Sequence, residues 1–382
     1  MCTLPRMVGT VLTLLVVGFA LALPGTWILV RLGHRVGILD SAGVAGHVKE
    51  LRRIPNIGGI AIFWASIGPL AAGLAALALV PDLVAAGLPS LPTHLDRIAD
   101  ARGDWITILI GALAIHLVGL YDDRRALSAW PKLLLQVAIA LGTALFSDVR
   151  LLQNFLADYP GGEIVSIALT VAWIVVVVNA VNFIDNMDGL AGGIAMIAAL
   201  AFMVATILTA QWFVASALAL LAGALAGFLV LNIAPARIFM GDGGSLFIGY
   251  MLATLAARTV YIDTDHAGYA LGSAWYGVLM PIIVLAIPLY DGVYVTLWRI
   301  RRGKSPFIGG HEHISHRLVE LGLSKRRAVG VIWLLTGVTA TSAIGLGLLL
   351  PWQAALVGVQ LLGIFAVMAV LETSVARGKG DT

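Results

Sequence analysis

Cysteine is all but missing from this chain: Cys2 stands alone among 382 residues. One thiol makes no intramolecular disulfide, and no Cys-x-x-Cys pair exists to hold a structural zinc, so a disulfide scaffold, a zinc module and dithiol redox chemistry are all excluded. Charge is scarce as well, at 12% of residues against 60% hydrophobic. With a mean hydropathy of +0.96, that balance is far too apolar for a soluble domain. What fills the chain instead is long hydrophobic runs.

A helix needs roughly 20 mostly apolar residues to cross the hydrocarbon core. Eleven such runs are predicted, centred near Leu15, Ile67, Leu113, Ile139, Ala172, Leu200, Leu220, Met251, Ile283, Leu335 and Gly363. The fold class is therefore all-α, a polytopic membrane protein forming a single domain over residues 1–382, with no room for a soluble one.

The few cations are unevenly placed. The odd-numbered connections carry 17 of the 24 Lys and Arg, eight of them between Arg299 and Arg327, whereas the even connections hold Arg97, Arg102, Arg150 and Arg258. Loops rich in Lys and Arg stay in the cytoplasm, which predicts an N-terminus and a C-terminus outside and the odd loops inside. Arg6 before an apolar run and Ala20-Leu21-Ala22 also resemble a cleavable signal. One Arg ahead of the run against five after it favours a retained, N-out helix.

Ionisable residues at membrane depth cost about 2.5–3.5 kcal/mol each, and here they gather on the predicted cytoplasmic side. The third run ends in Tyr121-Asp122-Asp123-Arg124-Arg125, with Lys132 and Gln136 opening the fourth. Taken alone, that is equally a solvated helix end with local ion pairs. The fifth run passes through Asn179, Asn182, Asp185, Asn186 and Asp188 into Gly189-Leu190. A helix cap needs one such residue, not five. After the seventh run come Asn232 and Met240-Gly241-Asp242-Gly243-Gly244, where glycine N–H groups at a helix start suit phosphate and an Asp suits a phosphate-bridging Mg²⁺; alone, this is also an ordinary turn. The ninth run carries Pro288 and Asp291 and leads to a basic connection with His311, Glu312, His313, Ser315, His316 and Arg317. That loop suits anions or sugar better than a metal. His116 reads as a packed helix residue, and the scattered tryptophans as interface anchors.

Four clusters on one side describe one site: acids with glycine turns point to Mg²⁺, the cations to phosphates, the bilayer to a lipid substrate.

Together the motifs resemble the polyprenyl-phosphate N-acetylhexosamine-1-phosphate transferase family, in order and over Asp40 to about Ser324. The matching residues are Asp40, His47, Lys49, Pro55 and Gly58-Gly59; Asp122-Asp123 with Lys132 and Gln136; the Asn-x-x-Asn-x-x-Asp-x-x-Asp-Gly-Leu run from Asn179; Asn232 with Met240-Gly241-Asp242; and Pro288 with Asp291. Two positions depart from the pattern. Asn186 stands where Gly is usual in Asp-Gly-x-Asp-Gly-Leu, and Ser315 replaces a histidine of the Asp-His-x-His-His loop found in the N-acetylglucosamine enzymes. The loop is still closer to that branch than to the three consecutive histidines of the phospho-MurNAc-pentapeptide enzyme.

The resemblance implies transfer of a sugar 1-phosphate, GlcNAc-1-phosphate above others, from a UDP-sugar to undecaprenyl phosphate at the inner membrane, the first membrane step of an envelope polysaccharide. The implied cofactor is Mg²⁺, with Mn²⁺ as a substitute; partners are the UDP-N-acetylhexosamine, the lipid carrier, the membrane and a second copy in a homodimer, with no nucleic acid. It implies Asp242 as first metal ligand and Asn182 as second. Asp122 and Asp123 would orient or deprotonate the lipid phosphate. Lys49 and Lys132 would bind it, while Asn179, Asn182, Asp185, Asp188 and Asn232 would line the nucleotide pocket and His311, His313, His316 and Arg317 would meet diphosphate or sugar. A phospho-MurNAc-pentapeptide transferase and a non-enzymatic transporter are the competing readings. The transporter is disfavoured because the acids sit at helix ends rather than along a path.

Overall fold

The computed structural model describes residues 4–38, 53–80, 101–259, 275–305, 310 and 312–378, and these are helical apart from short connections and one isolated backbone bridge at Pro55. Asp40, His47, Lys49 and His311 lie outside the described residues. The main helices are α1 (Leu4–Val36), α2 (Gly58–Leu79), α3 (Arg102–Asp122), α4 (Ala129–Phe146), α5 (Gly162–Ile184), α6 (Leu190–Leu208), α7 (Trp212–Asn232), α8 (Gly241–Arg258), α9 (Met280–Val284), α10 (Ala286–Arg301), α11 (Ile314–Glu320), α12 (Lys325–Ala343) and α13 (Pro351–Gly378), with a single turn at Gln153–Leu156 and 3-10 turns at Trp275–Leu279 and Leu346–Leu348.

Among the described residues nine helices are long and apolar enough to cross a membrane, and a tenth crossing arises if the broken pair Trp275–Val284 and Ala286–Arg301, bent by 70°, counts as one. Two of the expected eleven runs fall outside the nine. The run near Ile283 is not a straight helix, and Pro281 and Pro288, which cannot donate backbone hydrogen bonds, flank its break at Leu285. The run near Met251 forms α8, which is not among the nine. It opens on Gly241-Asp242-Gly243-Gly244-Ser245 and ends at Arg258, and every side chain from Gly243 to Ala256 is buried. A helix walled in by protein has no need to be apolar from end to end, because neighbouring helices rather than lipid meet its polar groups.

The bundle forms around α8, which packs on α2, α3 and α5. Small residues let these backbones meet, as is usual in membrane helices. A methyl group on Gly59 would overlap the backbone of Gly244, and one on Gly119 the carbonyl of Asp242. Beside this core, α7 lies between α1 and α6, and α12 and α13 complete the outer side. The start of α2 is tied to the chain entering α8 by three backbone hydrogen bonds: Phe239 N to Pro55 O at 2.8 Å, Gly58 N to Phe239 O at 2.9 Å and Gly59 N to Met240 O at 2.9 Å. That tie places Asn56 next to the N-terminus of α8.

The opposite end of the core has its own lock. Asp104, at the start of α3, accepts from the backbone N–H of Asp148 at 2.9 Å and pairs with Arg258 Nη2, at the end of α8, at 3.1 Å. Removing a partly buried partner leaves the other group uncompensated. Asp104→Ala is expected to destabilise the protein by about 2 kcal/mol, read as a lower melting temperature in detergent, while chemistry at the far end of α8 keeps its rate.

Candidate active site

The polar clusters that lie apart in sequence meet at the N-terminal end of α8. Gly241, the first residue of α8, takes φ = 72°, a left-handed conformation that suits glycine, and Asp242 follows it in the first turn. No side chain from its own segment caps it. The cap comes from the end of α3: Asp123 Oδ1 accepts the N–H of Asp242 at 2.8 Å, and Oδ2 accepts that of Gly243 at 3.0 Å. Asn56 Nδ2 donates to the same Oδ1 at 3.0 Å. A carboxylate is well placed there, satisfying two orphan donors at the positive end of a helix. Burial first, and then the neighbouring Asp242 carboxylate, push the Asp123 carboxyl up to about 7, against the two backbone N–H groups and Lys132, which lower it.

Asp122 faces the other way. Its Oδ1 accepts the backbone N–H of Leu127 at 2.6 Å, and its Oδ2 pairs with Lys132 Nζ at 2.7 Å. Lys132 reaches α4's side of the site and also donates to Asp242 Oδ2, so one ammonium bridges two carboxylates. Asp242 Oδ1 accepts from Asn182 Nδ2 at 2.9 Å, and the same amide donates to Ser245 Oγ at 2.9 Å. Lys132, Asp122, Asp242 and Asn182 thus form one connected group contributed by α3, α4, α5 and α8. One turn back along α5, Asn179 Nδ2 donates to Gln136 Oε1 at 2.5 Å. Gln136 is buried, and its Nε2 has no hydrogen-bond partner. An unpaired buried donor costs about 1–3 kcal/mol unless a ligand or water supplies the acceptor.

The turn between α5 and α6 is held against the α7–α8 connection. Asn232 Oδ1 accepts the N–H of Gly189 at 3.0 Å while its Nδ2 donates to Ile238 O at 2.8 Å, and Asp188 Oδ2 accepts the N–H of Ala236 at 3.0 Å. The histidine loop closes the other side. Asp291, fully enclosed on α10, accepts from His313 Nδ1 at 2.7 Å and from the N–H of Ile314 at 2.8 Å. With Nδ1–H on the carboxylate, Nε2 is the nitrogen left to face a ligand. Arg299 donates to Glu312 Oε2 at 2.9 Å; burial raises the Glu312 carboxyl, but the Arg299 hydrogen bond and charge prevail and hold it below its ordinary value. Arg317 donates from Nε to Glu312 O at 2.9 Å and lies 4.9 Å over the Tyr294 ring. Ser315 Oγ donates to Asn186 Oδ1 at 2.6 Å, joining loop and turn.

Asp122, Asp123, Lys132, Asn179, Asn182, Asp185, Asp188, Asn232, Asp242, His313, His316 and Arg317 therefore fall on segments that these contacts join at one end of the bundle. His116 is outside this group: it stacks on Phe63, with ring centroids 4.3 Å apart, and its Nδ1 contacts Gly243 O at 2.8 Å. Asn56, Ser245 and Arg299 are not singled out by the sequence, and Glu312 enters it only as a member of the basic loop. Asn56 carried a weak signal, its neighbour Pro55 being part of the first-loop pattern; a serine or an arginine on a helix carried none.

Among the described residues no group of three His, Cys, Asp or Glu surrounds a common point. The donor set itself, the Asp242 carboxylate with the Asn182 amide beside it, is of the oxygen-bearing kind that Mg²⁺ takes through one or two protein ligands, with substrate phosphates and water completing its shell. The cation now lying between Asp122 and Asp242 is the Lys132 ammonium, so the pocket already stabilises positive charge next to Asp242.

Residues 105–260 match glycosyl transferase family 4. Over 322 residues the chain is 30% identical to the probable undecaprenyl-phosphate N-acetylglucosaminyl 1-phosphate transferase of Bacillus subtilis, covering 84% of this chain and 80% of that one. It is 33% identical over 340 residues to the decaprenyl-phosphate N-acetylglucosaminephosphotransferase of Mycolicibacterium smegmatis, covering 84% and 77%. Similarity extends to the phospho-N-acetylmuramoyl-pentapeptide-transferase of Desulforudis audaxviator, 29% identical over 328 residues, covering 79% and 86%.

Proposed function

The chain belongs to glycosyl transferase family 4, and on that premise we propose that it transfers a sugar 1-phosphate, GlcNAc-1-phosphate first among the candidates, from a UDP-sugar to undecaprenyl phosphate at the cytoplasmic face of the membrane. The observation that carries this reading is the Lys132 bridge between Asp122 and Asp242 at the glycine-rich start of α8. A cation held between two acids at the positive end of a helix suits a reaction in which two phosphates must approach.

An oxygen of the lipid phosphate attacks the sugar-proximal phosphorus of the donor. The bond from that phosphorus to the uridylate oxygen breaks, leaving polyprenyl-diphosphate-sugar and UMP. A phosphate monoester has a second pKa of about 6, so the nucleophile is already ionised at neutral pH and no strong base is required. Lys132 screens the incoming phosphate, and Asp122 orients the lysine. Gln136 Nε2 offers its unused donor to an oxygen of the lipid phosphate. Asp242, with Asn182, would hold Mg²⁺, which when bound neutralises the charge that accumulates on the diphosphate. The Asn182–Asp188 turn receives the nucleotide end, while Asp188 and Asn232 shape its wall through their backbone contacts. His313, His316 and Arg317 face the diphosphate and sugar.

Below Lys132 and Gln136, an open apolar groove of about 560 Å³ runs between α4 and α5, lined by Leu133, Val137, Leu141, Ile167, Val171 and Val175 among others. An isoprenoid chain has no favourable place in water, and this groove begins one residue from each phosphate-binding side chain. The cytoplasmic placement rests on the Lys and Arg of the same connections.

The test is purified protein with Mg²⁺, undecaprenyl phosphate and radiolabelled UDP-GlcNAc. Label in the lipid fraction with equal UMP release supports both reaction and donor. Transfer only from another UDP-N-acetylhexosamine would keep the reaction and change the sugar, and folded protein that transfers from none would defeat the reading.

Asp291 gives a separate expectation, because it fixes His313 and the start of α11 without reaching the substrate itself. Misplacing a group by about 1 Å can cost about 10²-fold in rate. Asp291→Ala is expected to lose activity on that scale, and Asp291→Asn less, since its amide oxygen can still accept the Ile314 N–H; kcat for each variant at saturating donor checks this.

A further inference from the structure

Two positions set this chain apart from the pattern it otherwise follows, Asn186 for glycine and Ser315 for histidine, and they lie 129 residues apart in sequence. In the fold they touch. Ser315 Oγ donates to Asn186 Oδ1 at 2.6 Å, and Ser315 is wholly enclosed. Asn186 is oriented for that role, because its Nδ2 donates back to Phe183 O at 3.1 Å and so presents the amide oxygen to the serine.

The bond joins the two walls of the donor pocket. The Asn182–Asp188 turn is fastened from the other side by Asn232 and Asp188, and the histidine loop is fastened to α10 by Asp291. Between turn and loop the Ser315–Asn186 bond is a direct side-chain link. The two departures also compensate in size and polarity. Glycine with histidine puts the bulk on the loop; asparagine with serine puts it on the turn. A histidine at 315 alone would press an imidazole against Asn186 in an enclosed space, and a glycine at 186 alone would leave an enclosed hydroxyl without its acceptor.

We propose that Asn186 and Ser315 act as one positioning pair that sets the spacing between the nucleotide-binding turn and the His313–Arg317 wall, and through it selects among UDP-N-acetylhexosamine donors. This rests on the transferase reading above and deepens it. Neither residue transfers a proton or touches the reacting phosphorus. Their effect is on which sugar fits between the two walls.

The experiment compares Asn186→Gly, Ser315→His and the double variant with wild type, measuring kcat and KM for UDP-GlcNAc and for UDP-GalNAc, with melting temperature alongside. Each single change is expected to lower kcat/KM by about tenfold, mostly through KM. The double change recovers to within about threefold of wild type, the non-additivity expected of residues in contact, and shifts the ratio of the two donors. Ser315→Thr, which keeps the hydroxyl, retains the wild-type donor ratio, whereas Ser315→Ala moves it. These two smaller changes decide the matter even where the histidine variants do not fold. Single effects that simply multiply, or a donor ratio the same in every folded variant including Ser315→Ala, would overturn the pair while leaving the transferase reading intact. Wild-type protein inactive with every UDP-sugar would overturn both.

Discussion

Asp242→Asn is expected to reduce sugar-phosphate transfer by about 10³-fold, the scale on which a preorganised charge at a reacting centre acts. The side chain keeps its size, so the fold should persist: Lys132 retains Asp122, and Asn182 retains Ser245. What goes is the negative charge around which Lys132, Asn182 and the start of α8 are arranged. The loss should appear in kcat with saturating donor and lipid, as parallel falls in lipid-bound label and in released UMP. Lys132→Met added to Asp242→Asn should cost little more, because groups that act as a unit lose their function together. An Asp242→Asn variant that kept about a tenth of the wild-type rate would move the chemistry away from this residue.

Asp123→Ala is expected to lower kcat by about 10²-fold, although Asp123 need not meet the substrate. Its two oxygens hold the N–H groups of Asp242 and Gly243 and the amide of Asn56, and without them the first turn of α8 has no side-chain cap and Asp242 loses its fixed position. Asp123→Asn keeps one acceptor and should lose less. The two variants also differ from wild type in pH dependence. Burial and then Asp242 raise the Asp123 carboxyl to about 7, so it is protonated below that value and ionised, as the double acceptor role requires, above it. Wild-type kcat should therefore fall as pH drops through about 7. In Asp123→Asn that acid limb should move toward about 6, the second pKa of the lipid phosphate. A limb unmoved by the substitution would mean that Asp123 ionisation does not govern the rate.

These two aspartates show how sequence and structure divided the problem. Adjacent carboxylates beside cations announce a polar helix end, but nothing in Asp122-Asp123 says that the first turns toward Lys132 while the second turns inward to cap another helix 119 residues later. That assignment depends on the close approach of Gly119 and Gly59 to the start of α8, which is a matter of packing. The span count differs for a related reason. Hydropathy measures a helix against lipid, and α8 is surrounded by protein, so it is less apolar than the nine although it runs from the Asp242 end of the core to the Asp104–Arg258 end. Asp291 was visible as an odd acid in an apolar run and His313 as a member of the basic loop, but their pairing was not, since it depends on how the loop after α10 folds back on that helix.

The sequence by itself determined that this is a membrane protein built of helices, that its polar residues gather at helix ends, and to which family its motifs belong. Composition and local order suffice for those, because the cost of burying charge in lipid acts on every residue wherever it lies. Only the tertiary structure decided which aspartate binds what, that α8 is the inner post of the site, and that Asn186 and Ser315 form one contact. Hydrogen-bond partners far apart in the chain are chosen by geometry within a few tenths of an ångström, and that geometry exists only once the helices have packed.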